Sequence, residues 1–351
     1  MSGSPSRSWP AAADRPGDHL TGAGFPAPRA EPGTPFPTPT QTFAQEGFPI
    51  MNQTVGFIGL GNMGGFMAAN LVKAGFTVQG FDPVPEARDR AAAAGVTPCE
   101  SQADAVRGAQ FVVTSLPNGK ILKAAYDGPE GLLANAPGDT LFIDCSTVDV
   151  LDAREAREMA LAAGHRAIES PMSGGTTGAE AGTLTFMVGA EPEDLEAARP
   201  VLEAMGKKIV LCGGAGAGQA VKLCNNMVLA IHMIGVSEAF VLAESLGVDH
   251  QAFFDVASNA TAQCWALNTN CPVPGPVPTS PANRDYAPGF MTALMTKDLG
   301  LAASAIELTG TDAKMGALAV EVYRRFNEGD GSTKDFSAII NEIRANTSKD
   351  A

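Results

Sequence analysis

A short β-rich run, Thr54-Val55-Gly56-Phe57-Ile58, passes through Gly59-Leu60-Gly61-Asn62-Met63-Gly64 into a helical stretch that reaches about Lys73 and is closed by Gly75. A GxGxxG string by itself is common. Here it follows a strand, opens a helix, and is answered by Asp82, 23 residues after Gly59, at the end of a second strand, Thr77 to Phe81. That context points to a dinucleotide-binding βαβ unit. Gly59 permits the tight turn, Gly61 lets backbone approach a pyrophosphate, and Gly64 lets helix pack on strand. The helix N-terminus then offers N–H donors and partial positive charge to the diphosphate. Leu60, Asn62 and Met63 complete that loop. Asp82 can accept both ribose hydroxyls but repels a 2′-phosphate, and Pro83-Val84 carries no arginine in compensation, so NAD is expected over NADP. The alternative is a glycine-rich turn that holds no ligand.

Further strand segments, Gln110 to Leu116 and Thr140 to Asp144, end in Ser115-Leu116-Pro117 and Asp144-Cys145-Ser146-Thr147. In an open parallel sheet the carboxyl ends of the strands face the ligand crevice, which would put Leu116, Pro117 and Thr147 along the nicotinamide half. Ordinary loop chemistry at strand ends explains the same residues. The expected fold is an α/β Rossmann-like N-terminal domain with a mostly parallel sheet, followed by an all-α C-terminal domain joined by a long interdomain helix. Three spans follow: a disordered proline-rich extension over 1–50, or an over-called start, an NAD-binding domain over 51–212, and a helical substrate and oligomerisation domain over 213–351. The extension has no apolar core of a signal peptide, and its acids spoil a transit peptide. Met227 to Leu242 is the most apolar stretch, but His232, Ser237 and Glu238 interrupt it, so it reads as a buried helix.

Two more constellations carry chemistry. Ser170-Pro171-Met172-Ser173-Gly174-Gly175-Thr176 offers a hydroxyl and close-approach backbone amides suited to a carboxylate, and a flexible turn has the same composition. Gly216 to Asn226 leads into a helix running to about Leu246, on which Lys222 and Asn226 share a face. A lysine at the start of so apolar a helix is partly desolvated, which lowers its pKa toward that of a general base; otherwise it snorkels. Lys297, beside Asp298, adds a positive charge near cofactor or substrate, or lies on the surface. Cys264 to Pro288 is irregular and proline-rich inside a helical region, as functional segments often are.

Thirty-eight acidic residues against 24 basic ones give a net charge of −14, a field that repels nucleic acid and anionic membrane. Six dispersed cysteines without a CxxC suggest neither a metal site nor a disulfide framework, which fits a reducing, cytoplasmic setting.

Taken together, GFIGLGNMG, DCSTVD, SPMSGGTTGAEAGTL, GAGQAVKLCNN and LMTKDLGLA, in this order, resemble the β-hydroxyacid dehydrogenase family over about four-fifths of the chain. The resemblance implies Lys222 as the catalytic lysine, Ser173, Gly174 and Gly175 as the substrate-carboxylate loop, Asn226 as a substrate-holding residue, and Leu116, Pro117, Thr147 and Lys297 as cofactor contacts. CWALNTNCPVPGPVP and the following YAPGF imply NAD-dependent oxidation of (S)-3-hydroxyisobutyrate to methylmalonate semialdehyde, a step of valine breakdown. The alternative within the family is a related dehydrogenase or semialdehyde reductase acting on tartronate semialdehyde, glyoxylate, 3-hydroxypropionate or 4-hydroxybutyrate. Oxidative decarboxylases of the 6-phosphogluconate type resemble the scaffold too, but they carry histidine where this chain has Asn225. The expected partners are a small hydroxyacid and further copies of the chain, as a homodimer or homotetramer, with no metal.

Overall fold

The computed structural model describes residues 53–347; the extension expected over 1–50 lies outside the described residues. Among these, nine strands form one sheet. β1 (Thr54–Ile58) is flanked on one side by β2 (Thr77–Phe81) and β3 (Thr97–Pro98), and on the other by β4 (Phe111–Thr114), β5 (Leu141–Asp144) and β6 (Arg166–Glu169), every pairing parallel. β8 (Leu184–Gly189) then runs antiparallel to β6 and to the two-residue β7 (Met172–Ser173), while β9 (Gly206–Gly213) pairs parallel with β8. The strand order reverses direction at β1, so the crevice for a ligand opens beyond its carboxyl end. The glycine turn sits at that end.

β4 and β5 are buried at every position because helices cover both faces of the sheet. Successive side chains alternate between the two resulting cores: Phe57, Val113 and Ile143 enter one, and Ile58, Val112 and Phe142 enter the other. A third core lies among the later helices and gathers Ala230, Met233, Phe240, Leu299, Tyr323 and Phe336.

One helix, Ala217–Ser245, contributes to both regions. Its 29 residues span roughly 43 Å. Its buried positions include Gln219, Lys222, Asn226, Ala230, Met233, Ser237 and Phe240, steps of three and four that mark a single stripe. Gly218 packs so tightly on the Met187 carbonyl of β8 that any side chain there would overlap it. By length and composition this helix is apolar enough to cross a bilayer. The expectation of a buried helix over Met227 to Leu242 needs correction: protein covers the stripe only, and Val228 and Leu242 on other faces stay exposed. Helices Thr292–Thr309, Lys314–Phe326 and Ile339–Thr347 complete the helical region. The irregular segment holds two short turns, Trp265–Asn268 and Pro281–Arg284.

Candidate active site

Gly59 has φ +95°, and its amide donates to the Phe81 carbonyl at 2.9 Å. A side chain on Gly59 would strike the Ser115 carbonyl, and one on Gly64 would overlap the Gly59 carbonyl. Gly61 differs: it is exposed, and a Cβ there would meet nothing within 4 Å. The helix that follows begins without a side-chain cap and with no acid in its first turn. Open space above Gly61 and an uncapped, acid-free helix start fit a diphosphate, which would complete the unpaired amides.

Asp82 is buried at the rim of this turn. Its Oδ2 accepts from the Leu60 amide and its Oδ1 from the Val84 amide, each at 2.8 Å. Both oxygens keep lone pairs for ribose hydroxyls. The Pro83-Val84 turn carries no arginine, but the structure supplies one from further along: Arg88 Nη1 donates to the Asp82 carbonyl at 2.7 Å, and its guanidinium lies 5.9 Å from the centre of the Phe81 ring. Its place in the first turns of the helix Pro85–Ala93 is the signal that reading the turn alone passes over.

Leu116, Thr147 and Lys297 come together through a connected set of hydrogen bonds. Asp144 Oδ1 accepts from Thr114 Oγ1 and from the Ser146 hydroxyl, and Ser146 Oγ accepts from the Leu116 amide at 2.9 Å. Burial pushes the Asp144 carboxyl up to about 6, with the Ser146 and Thr114 hydroxyls opposing the rise. Fully buried Gln219 on the long helix donates to the Ser146 carbonyl at 2.8 Å and accepts from the Val148 amide at 3.2 Å. Lys297 Nζ donates to the Thr147 carbonyl at 2.8 Å, so it is tied into this loop rather than loose on the surface. Pro117 lies exposed beside Leu116.

Lys222 is 7% exposed and makes no hydrogen bond or ion pair among the described residues. Burial lowers its pKa below the ordinary lysine range; the Asp298 charge opposes that shift and the Lys297 charge adds to it. One turn on, Asn226 donates to Asp298 Oδ2 at 2.6 Å and accepts from Asn225 Nδ2 at 3.0 Å. Asp298 is 3% exposed, and its Oδ1 lies 3.4 Å from Lys297 Nζ without hydrogen-bond geometry. In the sequence Asp298 stands out only as the neighbour of Lys297. Its position, one residue on and therefore about 100° around the helix, turns it inward.

Gly174 and Gly175 have φ +139° and +62°, values that side chains resist, so this turn is not interchangeable with other flexible sequence. Ser173 is half-buried at the end of β7. Among the described residues no hydrogen bond or ion pair ties Ser173, Gly174 or Gly175 to Lys222 or Asn226; the turn passes close to the Gly289 carbonyl, which a Cβ on Gly175 would meet at 3.1 Å.

Glu169, unremarked in the sequence, ends β6 just before this segment. Its Oε1 accepts from the Gly218 amide at 3.1 Å in the first turn of the long helix, and its Oε2 is buried without a partner. Burial raises its carboxyl to about 7, partly offset by the Gly216 and Gly218 amides, with Asp144 adding to the rise. Because the unfolded chain ionises near 4.5, stability linked to this group is full below that pH and is lost as pH rises through 7. Glu169→Gln keeps the acceptor and removes the charge. The variant is expected to match the parent near pH 4 and to exceed it by about 3 kcal/mol at pH 8. Thermal melts across that range check this, and a gap that does not widen with pH overturns it.

A dinucleotide cradle at the sheet's switch point and a desolvated lysine on the long helix together point to an NAD-binding oxidoreductase. Residues 54–214 match the family described as the NAD binding domain of 6-phosphogluconate dehydrogenase, and residues 216–343 match that described as NAD-binding of NADP-dependent 3-hydroxyisobutyrate dehydrogenase. A probable 3-hydroxyisobutyrate dehydrogenase of Mycobacterium tuberculosis is 54% identical over 292 residues, which cover 83% of this chain and 98% of that one. An NAD-dependent L-serine dehydrogenase of Pseudomonas aeruginosa is 43% identical over 81% of this chain and 96% of its own. The solved structure of Mycobacterium tuberculosis 3-hydroxyisobutyrate dehydrogenase with L-serine superposes with a TM-score of 0.80 at 53% identity, covering 84% of this chain and all of that one. The chain belongs to the 3-hydroxyisobutyrate dehydrogenase family.

Proposed function

We propose that the protein oxidises (S)-3-hydroxyisobutyrate to methylmalonate semialdehyde with NAD, and that Lys222 is its general base. The carrying observation is a buried lysine with no partner of its own, sharing a helix face with Asn226 and neighbouring the Thr147 and Lys297 network. NAD when bound accepts the hydride from the carbon that bears the hydroxyl. Gly59 to Gly64 would hold its diphosphate, Asp82 its adenosine ribose, and Leu116, Pro117, Thr147 and Lys297 its nicotinamide half. Neutral Lys222 accepts the hydroxyl proton at Nζ, and as ammonium it returns it in the reverse direction. Asn226, fixed by Asp298, orients the hydroxyl beside Lys222. Ser173 with the Gly174 and Gly175 amides holds the carboxylate, setting distance and angle for transfer.

Residues 51–212 then serve the dinucleotide, and residues 213–351 complete the substrate site and carry contacts between copies. Leu242, Leu246 and Val256, 61%, 72% and 68% exposed, support a homodimer or homotetramer. Six free cysteines support a cytoplasmic setting. A second reading, L-serine as substrate, is favoured by the serine-named relative and by the serine-bearing structure. L-Serine differs from (S)-3-hydroxyisobutyrate only in carrying an ammonium where the latter has a methyl. Tartronate semialdehyde, glyoxylate, 3-hydroxypropionate and 4-hydroxybutyrate remain the family alternatives.

Initial rates with (S)-3-hydroxyisobutyrate, L-serine, D-glycerate and 4-hydroxybutyrate, each with NAD and with NADP, test the assignment. The expected result is a kcat/KM for hydroxyisobutyrate with NAD at least about 10-fold above any other pairing. Preference for L-serine moves the substrate and leaves Lys222 in place. Preference for NADP overturns the reading of Asp82 and gives Arg88 the 2′-phosphate.

A further inference from the structure

The irregular segment ends as a strap whose last residues lie against the substrate-carboxylate turn. A side chain at Gly175 would meet the Gly289 carbonyl at 3.1 Å. Two residues before Ala287 and Pro288, Asp285 and Tyr286, hold φ of +50° and +56°, a left-handed conformation that costs energy in any residue with a Cβ. Such a conformation persists only where its surroundings over-determine it. Tyr286 is buried, its hydroxyl donates to the Pro272 carbonyl at 2.9 Å, and its amide donates to the Pro281 carbonyl at 2.9 Å.

The same end of the strap is held by one carboxylate. Asp335 is 1% exposed and faces five donors. Its Oδ2 accepts from the amides of Gly289 and Phe290, each at 3.0 Å. Its Oδ1 accepts from Asn270 Nδ2 at 3.1 Å, the Ser337 amide at 3.1 Å and the Ser337 hydroxyl at 2.7 Å. The backbone doubles the clamp: the Asp335 amide donates to Tyr286, and the Phe336 amide donates to Phe290. Both oxygens are engaged in holding backbone in place, and neither is aimed at a ligand.

We propose that Asp335 is a positioning residue for the Ser173–Gly175 turn: through Gly289 it sets where that turn lies, and so the affinity for the substrate carboxylate, without touching the substrate. This rests on the turn holding that carboxylate. Asp335→Asn tests it, because an amide group must face at least one set of N–H donors and so releases either the strap or its anchor.

In the full-length protein, Asp335→Asn is expected to raise KM for (S)-3-hydroxyisobutyrate by about 10-fold, to change kcat by less than about threefold, and to leave the NAD Kd within about twofold. Amide hydrogen exchange over residues 173–181 is expected to quicken in the variant. A lesion that merely destabilised the protein would lower the active fraction, not KM alone. A parent inactive on hydroxyisobutyrate defeats the functional reading, and the exchange measurement still judges Asp335 by itself. Unchanged exchange overturns the proposal whatever KM does. Should Asp335→Asn fail to fold, Ser337→Ala removes one Oδ1 donor, with a KM rise of about threefold and quickened exchange at 173–181 expected; no change in either overturns the proposal.

Discussion

Lys222→Met is expected to lower kcat by about 10²- to 10⁴-fold, the usual contribution of a placed acid–base group, with NAD affinity unchanged. It should also make the protein more stable at pH 7. The second expectation follows from burial: Lys222 lies inside the fold with no carboxylate of the described residues within ion-pair distance, and its pKa is lowered. Below the unfolded value of 10.5 the unfolded chain therefore binds more protons than the folded one, so folding is penalised, and the penalty grows as pH falls. Methionine fills similar space without that penalty. Lys222→Arg separates charge from proton transfer, since a guanidinium stays charged and cannot serve as base. Calorimetry and kcat measured on the same preparations decide the matter. Loss of activity together with loss of stability would make Lys222 a packing residue, and retained turnover would remove it from the chemistry altogether.

Gly61→Val is expected to weaken NAD binding by about 100-fold or more while leaving the melting temperature within about 1 °C of the parent, because a Cβ there enters only the space assigned to the diphosphate. Gly64→Ala should behave in the opposite manner. Its methyl overlaps the Gly59 carbonyl, so the turn itself must shift, at a cost of about 1–3 kcal/mol in stability. Isothermal titration with NAD beside thermal melts separates the two. If Gly61→Val destabilised the fold, or bound NAD as the parent does, the cradle would not be where the glycine spacing puts it.

The parts of the site visible in sequence are those whose geometry is local. Gly59 to Gly64 and Asp82 are set by one βαβ unit, and the i, i+4 relation of Lys222 and Asn226 needs only a helix. Asp298, Glu169 and Gln219 were not legible as site residues because their roles depend on partners 49 to 73 residues away in sequence. Asp335 depends on Gly289 and Phe290, 46 and 45 residues before it. The long helix shows the same division. Its existence and extent follow from composition, whereas its bare flank follows from which side the sheet and later helices cover.

That helix also restricts how the gene can change. Gln219 pins its first turn to the Ser146–Val148 loop while Ala230, Met233 and Phe240 are seated in the helical core. Between these two anchors lie Lys222 and Asn226 on an unbroken rod. Deleting one residue there would rotate everything beyond it by about 100° and shift it by about 1.5 Å, so one anchor would have to be given up. Reading-frame-preserving insertions can accumulate in the surface loops, but in this interval the helix is a ruler whose length is inherited whole.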